Sequence, residues 1–322
     1  MELRLLSGTD LNVSRLCFGT MTFGNPVETS TACEMVSRCI DAGINFFDTA
    51  NVYQQGISES MLGDALKRRR HRVILASKVR GAMGPAPDQS GLSKASIMRA
   101  IEESLRRLQT DYLDVYYLHQ PDYEVPIEET LEALQRLVND GKVRWVATSN
   151  YASWQVCEML TLARDHNYKP AVIAQQMYNL IARGLEQEFV PFACKNDVSI
   201  IAYNPLAGGL LTGKHSGSHF TPGTRFADNR MYQDRYWHEQ NFEAVAGLMN
   251  IAEQCGRSLL SLAFSWLLHH TSVQCVILGA SRLEQLEQNL AACEQGPLSP
   301  DTLRVCDEVW NRLRGPVPVY NR

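Results

Sequence analysis

RVILASK at 72–78 and YLDVYYLH at 112–119 are two short runs of aliphatic and aromatic residues, and the segment between them carries Ile97, Ile101, Leu105 and Leu108 on one stripe. Apolar residues at that spacing share one face of a helix. Residues 72–119 therefore read as strand, helix, strand. Strand runs with so little polar alternation fit a parallel sheet covered on its outer face.

Outward from this unit the pattern repeats. RLCFG (15–19) and INFFDT (44–49) precede it, and VRWVATSN (143–150), AVIAQQ (171–176), VSIIAYN (198–204) and VQCVILG (273–279) follow it. The segments between them have helical spacing; one carries Leu131, Leu134, Leu137 and Val138 and ends in Asp-Gly at 140–141. Eight such units with no linker predict an α/β fold, a single (β/α)8 TIM barrel domain over 1–322, rather than a doubly wound sheet. With 322 residues, 45% of them hydrophobic, the chain exceeds the usual domain size, and this barrel is the main exception to that size. The first thirteen residues predict a hairpin: LRLL, a turn at SGTD, then LNV. The long stretch PLAGGLLTGKHSGSHFTPGTRFADNRMYQDRYW after the seventh strand predicts a functional loop.

Composition removes several classes. Net charge is −4, and the one basic run, KRRRHR at 67–72, reads as a solvated helix end, so no nucleic-acid partner is expected. No stretch approaches about 18 continuous apolar residues, and the start, with Glu2 and Arg4, lacks a signal-type apolar region. Nine scattered cysteines without a CxxC pair fit free thiols in a reducing cytoplasm. No metal is expected: there is no His-x-His or Glu-x-x-His, and His269 and His270 would point about 100° apart on a helix.

Barrel enzymes keep their chemistry at the C-terminal ends of the strands. The predicted ends carry Asp48 with Tyr53 five residues on, Lys78, His119, Ser149 and Asn150, Gln175 and Gln176, and Tyr203 and Asn204. Taken alone, Asp48 and Lys78 are as readily a structural ion pair, Tyr53 a packed aromatic and His119 a hydrogen-bonded core residue. Their joint placement on neighbouring strands favours catalysis.

The segments INFFDTANVY, SK at 77–78, YYLHQP, GKVRWVATSN, IIAYNPLAGGLLTGK and ILGASRLEQLEQN resemble those of the aldo-keto reductase superfamily over essentially the whole chain. The likeness is closest to the branch with aflatoxin-aldehyde reductases and potassium-channel β-subunit relatives. The resemblance implies NADPH-dependent reduction of an aldehyde or ketone to an alcohol. Its catalytic tetrad falls on Asp48, Tyr53, Lys78 and His119. A tyrosine with pKa near 10 keeps a proton to donate; a lysine beside it would lower that pKa; an aspartate would anchor the lysine; a histidine would orient the carbonyl.

The same resemblance assigns the cofactor contacts. Ser149, Asn150 and Gln175 would meet the nicotinamide carboxamide, and Tyr203 would stack on its ring. Thr20, Met21 and the loop residues Asn204, Pro205, Leu206, Ala207 and Gly208 join them. Lys214 and Arg225 would clamp the pyrophosphate. Gly279, Ser281, Arg282, Gln285, Gln288 and Asn289 would surround the adenosine end, with a helix N-terminus after Ser281 and Arg282 on a 2′-phosphate. The chain departs from the better-known branch, which has Lys at Gly279 and Arg at Gln285, so NADH stays the second cofactor. Ser281 could equally cap its helix.

Phe23, Arg80, Tyr151, Phe226, Tyr236 and Trp237, with Met21, are the candidate substrate residues; Met21 and Phe23, in GTMTFG at 19–24, read equally as core. Their aromatic content favours a hydrophobic substrate; Arg80 or Arg322 could instead meet a carboxylate, as in a semialdehyde. Two rival readings stand beside the reductase. One is a cofactor-binding regulatory subunit with slow turnover, disfavoured because the hairpin begins at the first residues and leaves no room for an arm. The other is an unrelated barrel enzyme that binds no nicotinamide. Substrate, direction of reaction and oligomeric state stay open.

Overall fold

The computed structural model describes residues 1–215, 219–220 and 222–317. Arg322 lies outside the described residues. Two strands, β1 (Leu3–Leu5) and β2 (Asn12–Ser14), form the antiparallel hairpin. Eight parallel strands then close a barrel: β3 (Leu16–Gly19), β4 (Phe46–Asp48), β5 (Ile74–Val79), β6 (Leu113–Leu118), β7 (Val143–Ser149), β8 (Ile173–Met177), β9 (Ser199–Tyr203) and β10 (Cys275–Leu278), with β10 pairing β3. All eight lie where the sequence places them, most trimmed at their ends.

Alternation along these strands sorts the core. Cys17, Phe46, Ala76, Val115, Tyr117, Ala147, Ile173, Ile201 and Cys275 form one buried cluster, joined by Leu6, Leu11 and Val13. These are the inward positions, and the residues around the hairpin complete their packing at the N-terminal end of the barrel. Ser7 N–H donates to Ser199 Oγ (2.8 Å) and Trp145 Nε1 donates to Asp10 (2.7 Å), which ties the hairpin region to the strand starts. The intervening residues, among them Phe18, Phe47, Leu75, Tyr116, Leu118, Val146 and Ile200, face outward into a second cluster shared with the helices. Those helices include α1 (Thr29–Asp41), α2 (Ile57–Leu66), α3 (Lys94–Leu108), α4 (Ile127–Asn139), α5 (Ser153–Asp165) and α6 (Phe189–Lys195). Ile97, Ile101, Leu105 and Leu108 are the buried stripe of α3, as their spacing predicts. No helix among the described residues is long and apolar enough to cross a membrane.

Two local expectations change. The stretch after β9 is not one open loop. It holds a 3-10 turn at Ala207–Thr212, then α7 (Arg225–Asp228) and α8 (Arg230–Tyr236), before α9 (Glu239–Gln254) and α10 (Leu259–His270). Asn229 caps α8 by accepting from the Tyr232 N–H, which explains a short helix at the end of a Gly-rich segment. Nor is KRRRHR a plain solvated helix end. α2 stops at Leu66, and Arg70 pairs with Asp114 (2.8 Å) and lies 4.1 Å over the Tyr112 ring. Lys67, Arg68, His71 and Arg72 are exposed. After β10 come α11 (Leu283–Cys293) and α12 (Pro300–Arg314), the latter packed on α9.

One buried ion pair braces β5 from outside the barrel. Glu59 on α2 is fully buried; one oxygen accepts from the Ser77 hydroxyl and the other from Arg107 Nε on α3 (2.6 Å). Removing one partner strands the other charge in the interior. Arg107→Ala is expected to cost about 3–5 kcal/mol of stability in urea unfolding; a loss below about 1 kcal/mol would refute the bracing role.

Candidate active site

The inward parity of the barrel carries on past the apolar layer. Two residues beyond Phe46 stands Asp48, beyond Ala76 Lys78, beyond Tyr117 His119, beyond Ala147 Ser149, beyond Ile173 Gln175, and beyond Ile201 Tyr203. A ring of polar side chains therefore replaces hydrocarbon at the C-terminal end of the barrel. Tyr53 reaches the same place from a short turn after β4, in which Gln54 and Gln55 adopt positive φ.

Lys78 is the centre of the group. It is fully buried and ion-paired to Asp48, which is itself buried. Its ammonium also donates to the Thr49 carbonyl (2.7 Å) and to the Tyr53 hydroxyl (3.3 Å). Gln175 Nε2 donates to the second oxygen of Asp48 (2.9 Å). The Tyr53 and His119 rings meet edge to face at 5.9 Å. The structure thus brings all four candidates together.

Their protonation is set by burial and by this pair. Burial pushes the Lys78 ammonium down, but Asp48 and Tyr53 outweigh it and the net shift is upward, so Lys78 is charged. The Tyr53 phenol is pushed up by burial, pulled down by Lys78 and pushed up by Asp48, for a net rise. This corrects the expected lowering: Lys78 acts in the expected direction, yet desolvation of a phenolate inside the barrel is larger. Tyr53 is a fully protonated donor at neutral pH. His119 is lowered to about 3 by burial first and then by Lys78 and Arg80, so it is a neutral imidazole.

Around this centre the expected carboxamide residues contact one another. Ser149 is buried; Asn150, at φ 62°, donates to the His119 carbonyl (2.9 Å) and to Ser149 Oγ (3.1 Å) and accepts from the Tyr203 hydroxyl (2.6 Å). Thr20 is fully buried, its hydroxyl bonded to the Asp48 carbonyl and Ser58. Met21 is half-buried beside it.

The segment after β9 forms a cover. Asn204, Ala207 and Gly208 all have positive φ, with buried Pro205 and half-buried Leu206 among them. A side chain at Gly208 would strike the Tyr232 ring at 2.7 Å. Tyr232 accepts from Arg225 (3.1 Å) and donates to Asn204 Oδ1 (3.4 Å). Phe226, fully buried, packs on Trp237 (4.8 Å) and His215 (5.0 Å).

Three cations converge at the edge of this cover. Burial and the charges of Arg282 and Arg225 push the Lys214 ammonium down. Among the described residues none of the three has an ion-pair partner, and the amide Nδ2 of Asn204 is a buried donor with no acceptor. Like charges held together with no ion-pair partner among the described residues fit a phosphate-bearing ligand. Gly279 and Gln288 are exposed nearby in the chain; Asn289 is buried and donates to the Gly279 carbonyl (3.2 Å).

Some expected residues sit elsewhere or act differently. Phe23 is fully buried against Phe18 (5.9 Å), so it is core and does not line the mouth. Tyr236 is buried too, its hydroxyl accepting from Asn179 and donating to the Met177 sulfur. Ser281 does not cap: Arg282 holds the N-cap position of α11, and Ser281 donates its N–H (3.0 Å) and hydroxyl (2.8 Å) to Gln285 Oε1. That leaves Gln285 engaged by the loop. The sequence reading missed Thr49, Tyr117 and the Glu59–Ser77 brace; for Tyr117 the signal was present, because YYLH puts it on the same parity as His119.

An eight-stranded parallel barrel with this polar ring defines a class of barrel oxidoreductase once its relatives are added. The family model described as the aldo/keto reductase family matches residues 15–311. "Aflatoxin B1 aldehyde reductase member 2" of Rattus norvegicus is 38% identical over 99% of this chain and 90% of its own. A "Probable voltage-gated potassium channel subunit beta" of Arabidopsis thaliana is 34% identical over 92% of this chain and 93% of its own. An "Uncharacterized oxidoreductase" of Bacillus subtilis is 34% identical over 99% and 98%. The chain belongs to the aldo/keto reductase family, and that membership removes the unrelated-barrel reading.

The depressed His119 has a consequence for stability. Its folded pKa of about 3 lies below its ordinary value of 6.5, so the unfolded chain binds the extra proton as pH falls. Stability contributed by the neutral imidazole is present above 6.5 and is lost as pH falls toward 3. Between pH 6.5 and 5 the loss is about 1.5–2 kcal/mol. His119→Gln should remove that part of the acid dependence in urea titrations at the two pH values; an unchanged acid dependence would count against a neutral His119.

Proposed function

We propose that this chain is an NADPH-dependent carbonyl reductase that converts an aldehyde or ketone to an alcohol, working as one domain over its whole length. The observation that carries the reading is the charged Lys78, paired to Asp48 and 3.3 Å from the Tyr53 hydroxyl. Bound NADPH supplies the hydride. His119, neutral, donates a hydrogen bond that fixes the carbonyl oxygen toward Tyr53. Tyr53 gives its proton to that oxygen as the carbon gains hydride. The ammonium of Lys78 then balances the phenolate, and Asp48 holds the ammonium in place. Neither Tyr53 nor His119 changes protonation near pH 6.5, so the reductive rate has no limb there.

Ser149, Asn150, Gln175 and Tyr203 would hold the nicotinamide end, and Lys214, Arg225 and Arg282 the phosphates. The cation cluster, which has no ion-pair partner among the described residues, and the acceptor-free Asn204 amide support this assignment. Arg282 supports NADPH over NADH, because a guanidinium suits the additional phosphate. Small-molecule carbonyl substrates and a cytoplasmic setting go with the same reading. The alternative, a cofactor-binding subunit with slow turnover, draws on the channel-subunit relatives, and turnover separates the two.

The test is NADPH consumption with aromatic aldehydes, diketones and succinic semialdehyde, followed by absorbance, for wild type and Tyr53→Phe. The variant is expected to lose about 10²–10⁴-fold in kcat while binding NADPH almost normally, since only the proton donor is gone. Wild-type turnover in Tyr53→Phe would reject the mechanism, and binding without turnover in the wild type would favour the regulatory subunit.

A further inference from the structure

The short turn that carries Tyr53 rests on the chain just past the end of β5. The Asn51 N–H donates to the Lys78 carbonyl (3.3 Å). A Cβ at Gly81 would stand 2.8 Å from Val52 Cβ, so no side chain fits between the two segments there. Residues 78–81 are therefore the backing of residues 51–53, and the placement of one segment fixes the other.

Arg80 is the strained member of that backing. Its φ is 130°, a region L side chains rarely adopt. Glycine would serve that backbone better, so a side chain kept there points to a use for the side chain.

Two polar atoms are left over at this contact. Arg80 Nε is a buried donor and Asn51 Oδ1 a buried acceptor, and neither has a partner among the described residues. Asn51 as a whole is 2% exposed. A buried polar atom without a partner is costly. Both residues line one cavity of about 10 Å³, together with Asp88 and Glu103. That is room for about one water molecule and for nothing larger. The two carboxylates pair with Arg99, at 2.9 Å for Asp88 and 3.0 Å for Glu103. An orphan donor and an orphan acceptor on one water-sized cavity are complementary. A water there accepts from Nε, donates one hydrogen to Oδ1 and has a second hydrogen for a carboxylate oxygen of the same cavity.

We propose that Arg80 and Asn51 hold one buried water between them, and that this bridge positions the turn whose Tyr53 hydroxyl stands 3.3 Å from Lys78. Arg80 is then a positioning residue that works through the N–H of Nε and not through its charge. The kinetic part of the test rests on the reductase reading; the bridge and its effect on Tyr53 are measured without turnover.

The experiment compares wild type with Arg80→Gln, Arg80→Met, Asn51→Leu and the double variant Arg80→Met/Asn51→Leu. Glutamine puts an amide nitrogen where Nε stands, without the charge; methionine keeps the stem and puts a methyl group there; leucine keeps the volume of Asn51 and removes its acceptor. A crystal structure of the wild type should show one ordered water within about 3.2 Å of both atoms. Nuclear magnetic resonance of ring-labelled tyrosine, with no substrate present, should show the Tyr53 signal displaced in Arg80→Met and Asn51→Leu and at its wild-type position in Arg80→Gln. In NADPH consumption with an aromatic aldehyde, Arg80→Met and Asn51→Leu should each lower kcat about 10–100-fold, with KM and NADPH affinity within about threefold of wild type. The solvent deuterium isotope effect on kcat should rise in both, because the proton donor is the misplaced group. Arg80→Gln should recover kcat to within about threefold of wild type, and the double variant should be no slower than the slower single one, since the bridge is lost only once.

A direct Asn51–Arg80 contact, or no water between them, would overturn the bridge. Equal losses in Arg80→Gln and Arg80→Met would assign the effect to the charge and overturn it too. Wild-type kcat and an unmoved Tyr53 signal in Arg80→Met and Asn51→Leu would overturn the positioning role and leave the reductase standing. A wild type that reduces no carbonyl, with the water in place and the Tyr53 signal moving as described, would overturn the reductase reading alone.

Discussion

The structure turns on one buried ion pair. Lys78 and Asp48 sit inside a barrel whose next layer down is Phe46, Ala76, Val115 and Tyr117, where an unpaired charge would be prohibitively costly. Each therefore requires the other, and both require further partners: the Thr49 carbonyl for Lys78 and the Gln175 amide for Asp48. Such pairs seldom add stability over well-packed hydrocarbon. This one fixes a cation against the Tyr53 hydroxyl. Parity on β4 and β5 is what delivers the two groups, since a one-residue slip of either strand would turn its charge outward.

The same economy explains the protonation pattern. A single low-dielectric mouth holds Lys78 charged, Tyr53 protonated and His119 neutral, because the cation opposes a second positive charge and burial opposes a phenolate. A protonated phenol and a neutral imidazole thus stand side by side at neutral pH. Farther out, Lys214, Arg225 and Arg282 repel one another across the cover segment. The site is consequently neutral or paired at its centre and positive at its rim, which suits a ligand with an uncharged reacting end and anionic groups away from it.

Much of this was legible in the sequence. The eight strands were readable because each is a compact apolar run between helical stripes. The gathering of Asp48, Lys78 and His119 at one end of the barrel was readable because strand ends are where barrel enzymes concentrate polar side chains, and the family resemblance grouped Tyr53 with them. What escaped depends on three-dimensional neighbours. Phe23, near Met21, read equally as mouth or core in the sequence, and only the turn after β3, which folds it back onto Phe18, decides for core. The net rise of Tyr53 depends on how deeply the barrel buries it, which composition does not report. Glu59 is an ordinary helix residue by sequence, and only the packing of α2 and α3 against β5 makes it a buried brace. The hydroxyl of Ser281 had two plausible uses, and the preference of Gln285 for that loop excluded capping.

The central claim is that Lys78 and Tyr53 are coupled, with the phenol protonated and the ammonium poised to receive the charge it leaves. Nuclear magnetic resonance of ring-labelled tyrosine, with the Tyr53 signal assigned by its loss in Tyr53→Phe, reads that ionisation directly as pH rises in the wild type and in Lys78→Met. The account predicts a Tyr53 that stays protonated through neutrality and past the usual phenol value of about 10, and that ionises higher still without Lys78. Ionisation near neutral pH, or a titration indifferent to Lys78, would contradict it.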